Sequence, residues 1–125
     1  MQFSSRQYAD IVVATPVGRI DHSAASHLEQ SLSPLLAQSA AGKTGVVLDF
    51  AGVDYISSVG LRILMIAAKE MRGRGARIGV AALQPVVAEI FAISRFDSVL
   101  AVFPSVRDAV ANFSAPAVAA FDAAS

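Results

Sequence analysis

Apolar positions change period several times along the chain, and each change marks an expected element. Tyr8–Ala14 and Val17–Ile20 are short runs rich in β-branched residues with Thr15-Pro16 between them, which predicts two strands joined by a tight turn. From Ala25 the apolar residues Leu28, Leu32, Leu35 and Leu36 recur at helical spacing. Asp21 or Ser23 stands where a short side-chain oxygen caps such a helix. Pro34 falls inside it and predicts a kink, or a break recapped by Ser33, because proline removes a donor and clashes at a cost of about 3 kcal/mol. Gly45–Phe50 shows no polar alternation and predicts a strand buried on both faces. Ala51–Asp54 reads as a loop. A second helix then runs from about Val59 to Arg72, ended by the Gly73-Arg74-Gly75 stretch. Ala76–Leu83 reads as another buried strand, Pro85 opens a third helix, Val99–Phe103 is a last short strand and Val106–Phe113 a closing helix.

Strands alternating with helices predict an α/β fold: a mainly parallel sheet of four to five strands, mixed at its N-terminal edge, with about four helices packed against it. One domain is expected over residues 1–113. The Ala-rich tail, 114–125, has two open readings: it stays disordered, or it docks through Val118 and Phe121.

Composition narrows the function classes. Ten basic and ten acidic residues cancel, so the chain lacks the positive field of a nucleic-acid binder. Cysteine is absent, which removes disulfides, thiolate metal sites and cysteine nucleophiles together. No apolar run approaches the ~20 residues that span a bilayer, and the first ten residues lack the pattern of a signal peptide. A cytoplasmic protein without membrane insertion is the expectation.

Two motifs invite catalytic readings that their context rejects. Gly42-Lys43-Thr44 resembles the end of a phosphate-binding loop, but Ala37 stands where that loop needs glycine, and the segment precedes a strand instead of a helix. Ser58 lacks the flanking glycines of a hydrolase elbow, having Ile56 on one side and Gly60 on the other. Only His22 and His27 are available as bases or metal ligands. No enzyme activity, metal or cofactor is expected.

The informative segment is Val47–Arg62, which runs strand, loop, helix start. Ser57 and Ser58 stand where an N-cap belongs, and capping by one of them is the simplest account, worth ~1 kcal/mol. The same place suits a phosphate, because free amide hydrogens and the positive end of the helix dipole converge there. Gly60 is expected to leave room for the anion. On the helix itself, Leu61, Leu64, Met65, Ala68 and Met71 form the expected core stripe. Val59, Ile63 and Ile66 form a second apolar row, either buried under neighbours or exposed as a docking patch beside Ser58.

With Gly18–Asp21, Arg74–Ile78, Pro85–Asp97 and Phe103–Ala109, this segment resembles the STAS-domain anti-sigma-factor antagonists over about residues 8–113. The resemblance implies the STAS fold and a phosphorylated serine at Ser58. Ser57, where members of the family often carry Asp, is the second choice. It implies as partners an anti-sigma factor that is also a serine-protein kinase, bound by the unmodified protein and released on phosphorylation, and a type 2C serine phosphatase that resets the switch. The expected partner surface comprises Asp21, Asp54, Ser57, Ser58, Val59, Gly60, Arg62, Ile63 and Ile66. A constitutive STAS scaffold, such as a small subunit of an ABC-type lipid transporter, is the alternative. Arg95 stands where a helix-ending glycine is expected.

Overall fold

The computed structural model describes residues 1–39 and 45–124. Gly42-Lys43-Thr44 lies outside the described residues. In chain order the elements are β1 (Gln2–Tyr8), β2 (Ile11–Ile20), α1 (Ala25–Ser39), β3 (Gly45–Asp49), β4 (Val53–Ile56), α2 (Ser58–Gly73), β5 (Arg77–Ala81), α3 (Pro85–Ile93), a 3₁₀ turn (Phe96–Ser98), β6 (Ala101–Phe103), α4 (Val106–Phe113) and α5 (Ala115–Ala124). The six strands form one sheet in the order β1-β2-β3-β5-β6, with β4 attached to β2. Among the described residues only the β1–β2 pair is antiparallel. The fold is the expected α/β fold with a mixed N-terminal edge, carrying one strand and one helix more than the sequence pattern suggests.

Three local expectations are corrected. The first turn is at Ala9-Asp10, joining β1 to β2 through the Tyr8↔Ile11 pair, and not at Thr15-Pro16. Pro16 instead sits inside β2, in the interval where one neighbour changes from β3 (paired to residues 11–14) to β4 (paired to 18–20). A proline is tolerated in a strand where the ladder is interrupted. The expected loop after Phe50 shrinks to Ala51-Gly52, and Val53–Ile56 becomes β4. Pro34 neither kinks nor breaks the assignment of α1, which runs on to Ser39; it lies on the exposed side, between buried Leu32 and Leu35.

Helix boundaries otherwise follow the sequence. Gly75 adopts the left-handed conformation after α2 (φ 68°), as glycine does past a helix end. Arg95 adopts the same conformation (φ 57°) without glycine's freedom, so the turn after α3 carries local strain. The Arg74 guanidinium donates to the Leu36 carbonyl and pairs with Glu70 at 3.0 Å, tying the end of α2 to α1.

Alternation along each strand divides the core between the two faces of the sheet. Val12, Ala14, Val46, Leu48 and Val80 meet α1, α2 and α3 through Leu28, Leu32, Leu64, Met71, Val87 and Phe91. Ile11, Val13, Val47 and Ala81 meet α4 and α5 through Ala109, Val110 and Ala117. Residues 115–124 are therefore a docked helix. Ser114 caps it, accepting from the Ala117 amide at 3.2 Å while donating to Asp10 at 2.5 Å. Tyr8 and Phe121 meet edge to face at 5.1 Å between centroids, and Arg107 clasps Asp122 through two bonds of 2.9 and 2.8 Å.

Removing residues 114–125 exposes the second core, so the urea midpoint should fall, by an amount corresponding to about 2–4 kcal/mol for the apolar surface of one or two large side chains. An unchanged midpoint would show that α5 contributes no packing.

Candidate functional site: the start of α2

The site is assembled by the last residues of β2 and β4. Ile20 lies opposite Ile56 in the parallel ladder, and the Ser57 amide donates to the Ile20 carbonyl at 2.8 Å. Asp21 and Ser57 thus leave the sheet side by side and begin their respective helices. Asp21 accepts from the Ser23 hydroxyl at 2.8 Å and the Ala24 amide at 2.9 Å, capping the turn into α1. The Ser23 hydroxyl, followed by the Ala24 amide, holds its carboxyl below the usual carboxylate range. A carboxyl shifted this way contributes its cap at neutral pH and loses it only as pH falls through the lowered value.

The two serines have different tasks. Ser57 is the N-cap, with extended backbone (φ −80°, ψ 167°), and its Oγ accepts from the Gly60 amide at 3.1 Å. Ser58 is the first helical residue and is exposed, and no hydrogen bond holds its hydroxyl among the described residues. The pattern alone left either serine as the cap; the structure gives the cap to Ser57.

Gly60 has a different role from the one expected of it. It is buried, and a Cβ at this position would lie 2.8 Å from Ile56 Cγ1 and 3.0 Å from Ile20 Cγ2. The missing side chain lets α2 approach the sheet; it does not open space for an anion.

The core stripe of α2 is buried at Leu64, Ala67, Ala68 and Met71, with Leu61 and Met65 half-buried against the same core. The second apolar row remains partly open: Val59 and Ile63 are half-buried and Ile66 is 51% exposed. These three, with Arg62, line a cleft of about 370 Å³ closed on the α1 side by His22, Ser26 and Glu29. A second cleft of about 330 Å³ shares Glu29, Ile63 and Ile66 and continues to Leu36 and Glu70. Together they form an apolar-floored groove between α1 and α2 that starts at Val59, next to Ser58. His22, Ser26 and Glu29 on the α1 side were missed in the sequence as members of the site because they are polar residues that belong to no motif. Asp54 is exposed on β4 and lines neither cleft. Among the described residues no cluster of His, Asp or Glu could hold a metal, and no helix is long and apolar enough to cross a membrane.

Ser57→Ala removes the cap and should destabilise the protein by ~1 kcal/mol, whereas Ser58→Ala should leave the urea midpoint within about 0.5 kcal/mol of the unaltered chain. Equal losses in the two variants would contradict this division of labour.

The sequence and the fold resemble those of known proteins. The STAS domain profile matches residues 2–109. A candidate anti-sigma factor antagonist of Bordetella bronchiseptica, BtrV, is 36% identical over 124 residues, covering 99% of this chain and 97% of that protein. The crystal structure of an anti-sigma factor antagonist from Mycobacterium paratuberculosis superposes with a TM-score of 0.81 at 24% identity, over 90% of this chain and 92% of the other. The phosphorylated form of the Bacillus cell fate determinant SpoIIAA shares the fold with a TM-score of 0.66 at 17% identity, over 89% and 98%. With nearly its whole length matched in sequence and in fold, the chain belongs to the STAS-domain anti-sigma factor antagonist family.

Proposed function

We propose that this chain works by partner switching in the cytoplasm, with Ser58 as the switch. Unmodified, it binds an anti-sigma factor that is also a serine kinase and so frees the sigma factor. Transfer of the γ-phosphoryl group of ATP to the Ser58 hydroxyl ends that complex, and a type 2C phosphatase restores the free serine. The chain itself supplies a docking surface and an acceptor hydroxyl, and no catalytic group.

The observation that carries this reading is the exposed, uncommitted hydroxyl of Ser58 beside a serine already engaged as the cap. A kinase can take Ser58 without dismantling the helix start, whereas phosphorylating Ser57 would sacrifice the bond to the Gly60 amide. The groove along Val59, Ile63 and Ile66 lies close enough that a phosphate carrying nearly two negative charges alters any complex seated there. The description of the 36% identical BtrV as a candidate anti-sigma factor antagonist supports an anti-sigma factor as the class of partner.

Incubation with the cognate serine kinase and Mg-ATP, followed by fragment mass spectrometry, should place one phosphate on Ser58 and none on Ser58→Ala. Phosphate on Ser57, or on neither serine with a kinase active on a control substrate, would contradict the assignment.

A further inference from the structure

We propose, on the reading that Ser58 carries the phosphate, that Arg62 is the counter-ion of that phosphate: once Ser58 is modified, the guanidinium swings back along α2, clasps the phosphate, and is withdrawn from the mouth of the groove. Ser58 and Arg62 are four residues apart in one helix, so they lie on the same face one turn apart. Cα–Cβ bonds in a helix tilt toward its N-terminus, so a long side chain at 62 covers the turn that contains Ser58. An anion placed four residues before a cation is also the favourable order with respect to the helix dipole.

Arg62 is available for this role. It is exposed, and the ion pairs of the described residues engage Arg74 and Arg107 instead. The backbone supplies only part of what a phosphate needs. Ser57 already holds the Gly60 amide through its side chain and the Leu61 amide through its carbonyl, leaving the Ser58 and Val59 amides in the first turn. The other charged and titratable groups around the site do less. Asp21, at the end of β2, and Glu29, on α1, repel an anion; Arg19 is stacked on Tyr55 at 4.0 Å; and His22 lies across the cleft on the α1 side. Arg62 is the cation on Ser58's own face.

Capture has a consequence for docking. Before modification the groove offers a cation at its mouth and the apolar row Val59, Ile63 and Ile66 along its floor. Afterwards the cation is neutralised by a group that is itself in excess negative charge. A partner that places an acidic side chain on Arg62 loses that contact and meets repulsion in its place. Phosphorylation would thus alter the charge of the surface without refolding it.

Phosphoserine installed at position 58 during translation tests this without any kinase, so its failure is separable from failure of the kinase assignment. The second ionisation of the phosphate, near pH ~6 for phosphoserine, is read by phosphorus NMR. A neighbouring cation favours the dianion, so the midpoint should lie lower in the parent than in Arg62→Ala, by about 0.2–0.4 pH unit for a pair of this kind. His22→Ala and Arg72→Ala should follow the parent. Equal midpoints in the parent and Arg62→Ala, or a rise confined to His22→Ala, would overturn the proposal.

Discussion

The start of α2 rests against the sheet through a contact that admits no side chain. Gly60 faces Ile20 and Ile56, a residue pair at the ends of two parallel strands, so closely that a single added carbon would fall inside contact distance. The Ser57 amide is bonded to the Ile20 carbonyl on one side of this contact, and the Ser57 hydroxyl to the Gly60 amide on the other. Helix, cap and strand ends are therefore fixed together, and Ser58 is left exposed beside Ser57, whose amide and hydroxyl are both engaged. Enlarging Gly60 would force α2 away from β2 and β4, at the ~1–3 kcal/mol typical of an overpacked contact, and would move Ser58 with it.

This rigidity suits regulation by charge. On the proposed function, a phosphate at Ser58 would leave the bond between the Ser57 hydroxyl and the Gly60 amide intact and would alter the surface beside it. The groove between α1 and α2, with its apolar floor and Arg62 on its lining, is where such a change in charge would be read. The second face of the sheet is covered by α4 and α5, where Ser114, Tyr8 and Arg107 anchor α5 by a separate set of contacts.

Much of this was legible in the chain. β3 and β5 are buried on both faces and read as continuous apolar runs, and the period of α2 identified its core stripe and the open row beside it. Other features depend on neighbours distant in sequence. β4 is four residues long and forms because β2 extends past β3 to meet it, a fact of pairing that its composition does not carry. The β1–β2 turn uses Ala9 in the left-handed conformation in place of glycine or asparagine, so Pro16, a stronger turn former, drew the expected turn to the wrong place. Gly60 reads as open space until the two isoleucines are seen against it. The choice between Ser57 and Ser58 was open for the same reason: both residues suit a cap, and the helix start falls between them only once Ser57 is bonded to Ile20.

The most direct test of the account is a calorimetric titration of the kinase partner with the unmodified chain and with the chain carrying phosphoserine at position 58. The account predicts binding at least ~10-fold weaker for the modified chain, a difference of about 1.4 kcal/mol, with unchanged circular dichroism. Equal affinities for the two forms would contradict Ser58 as the switch.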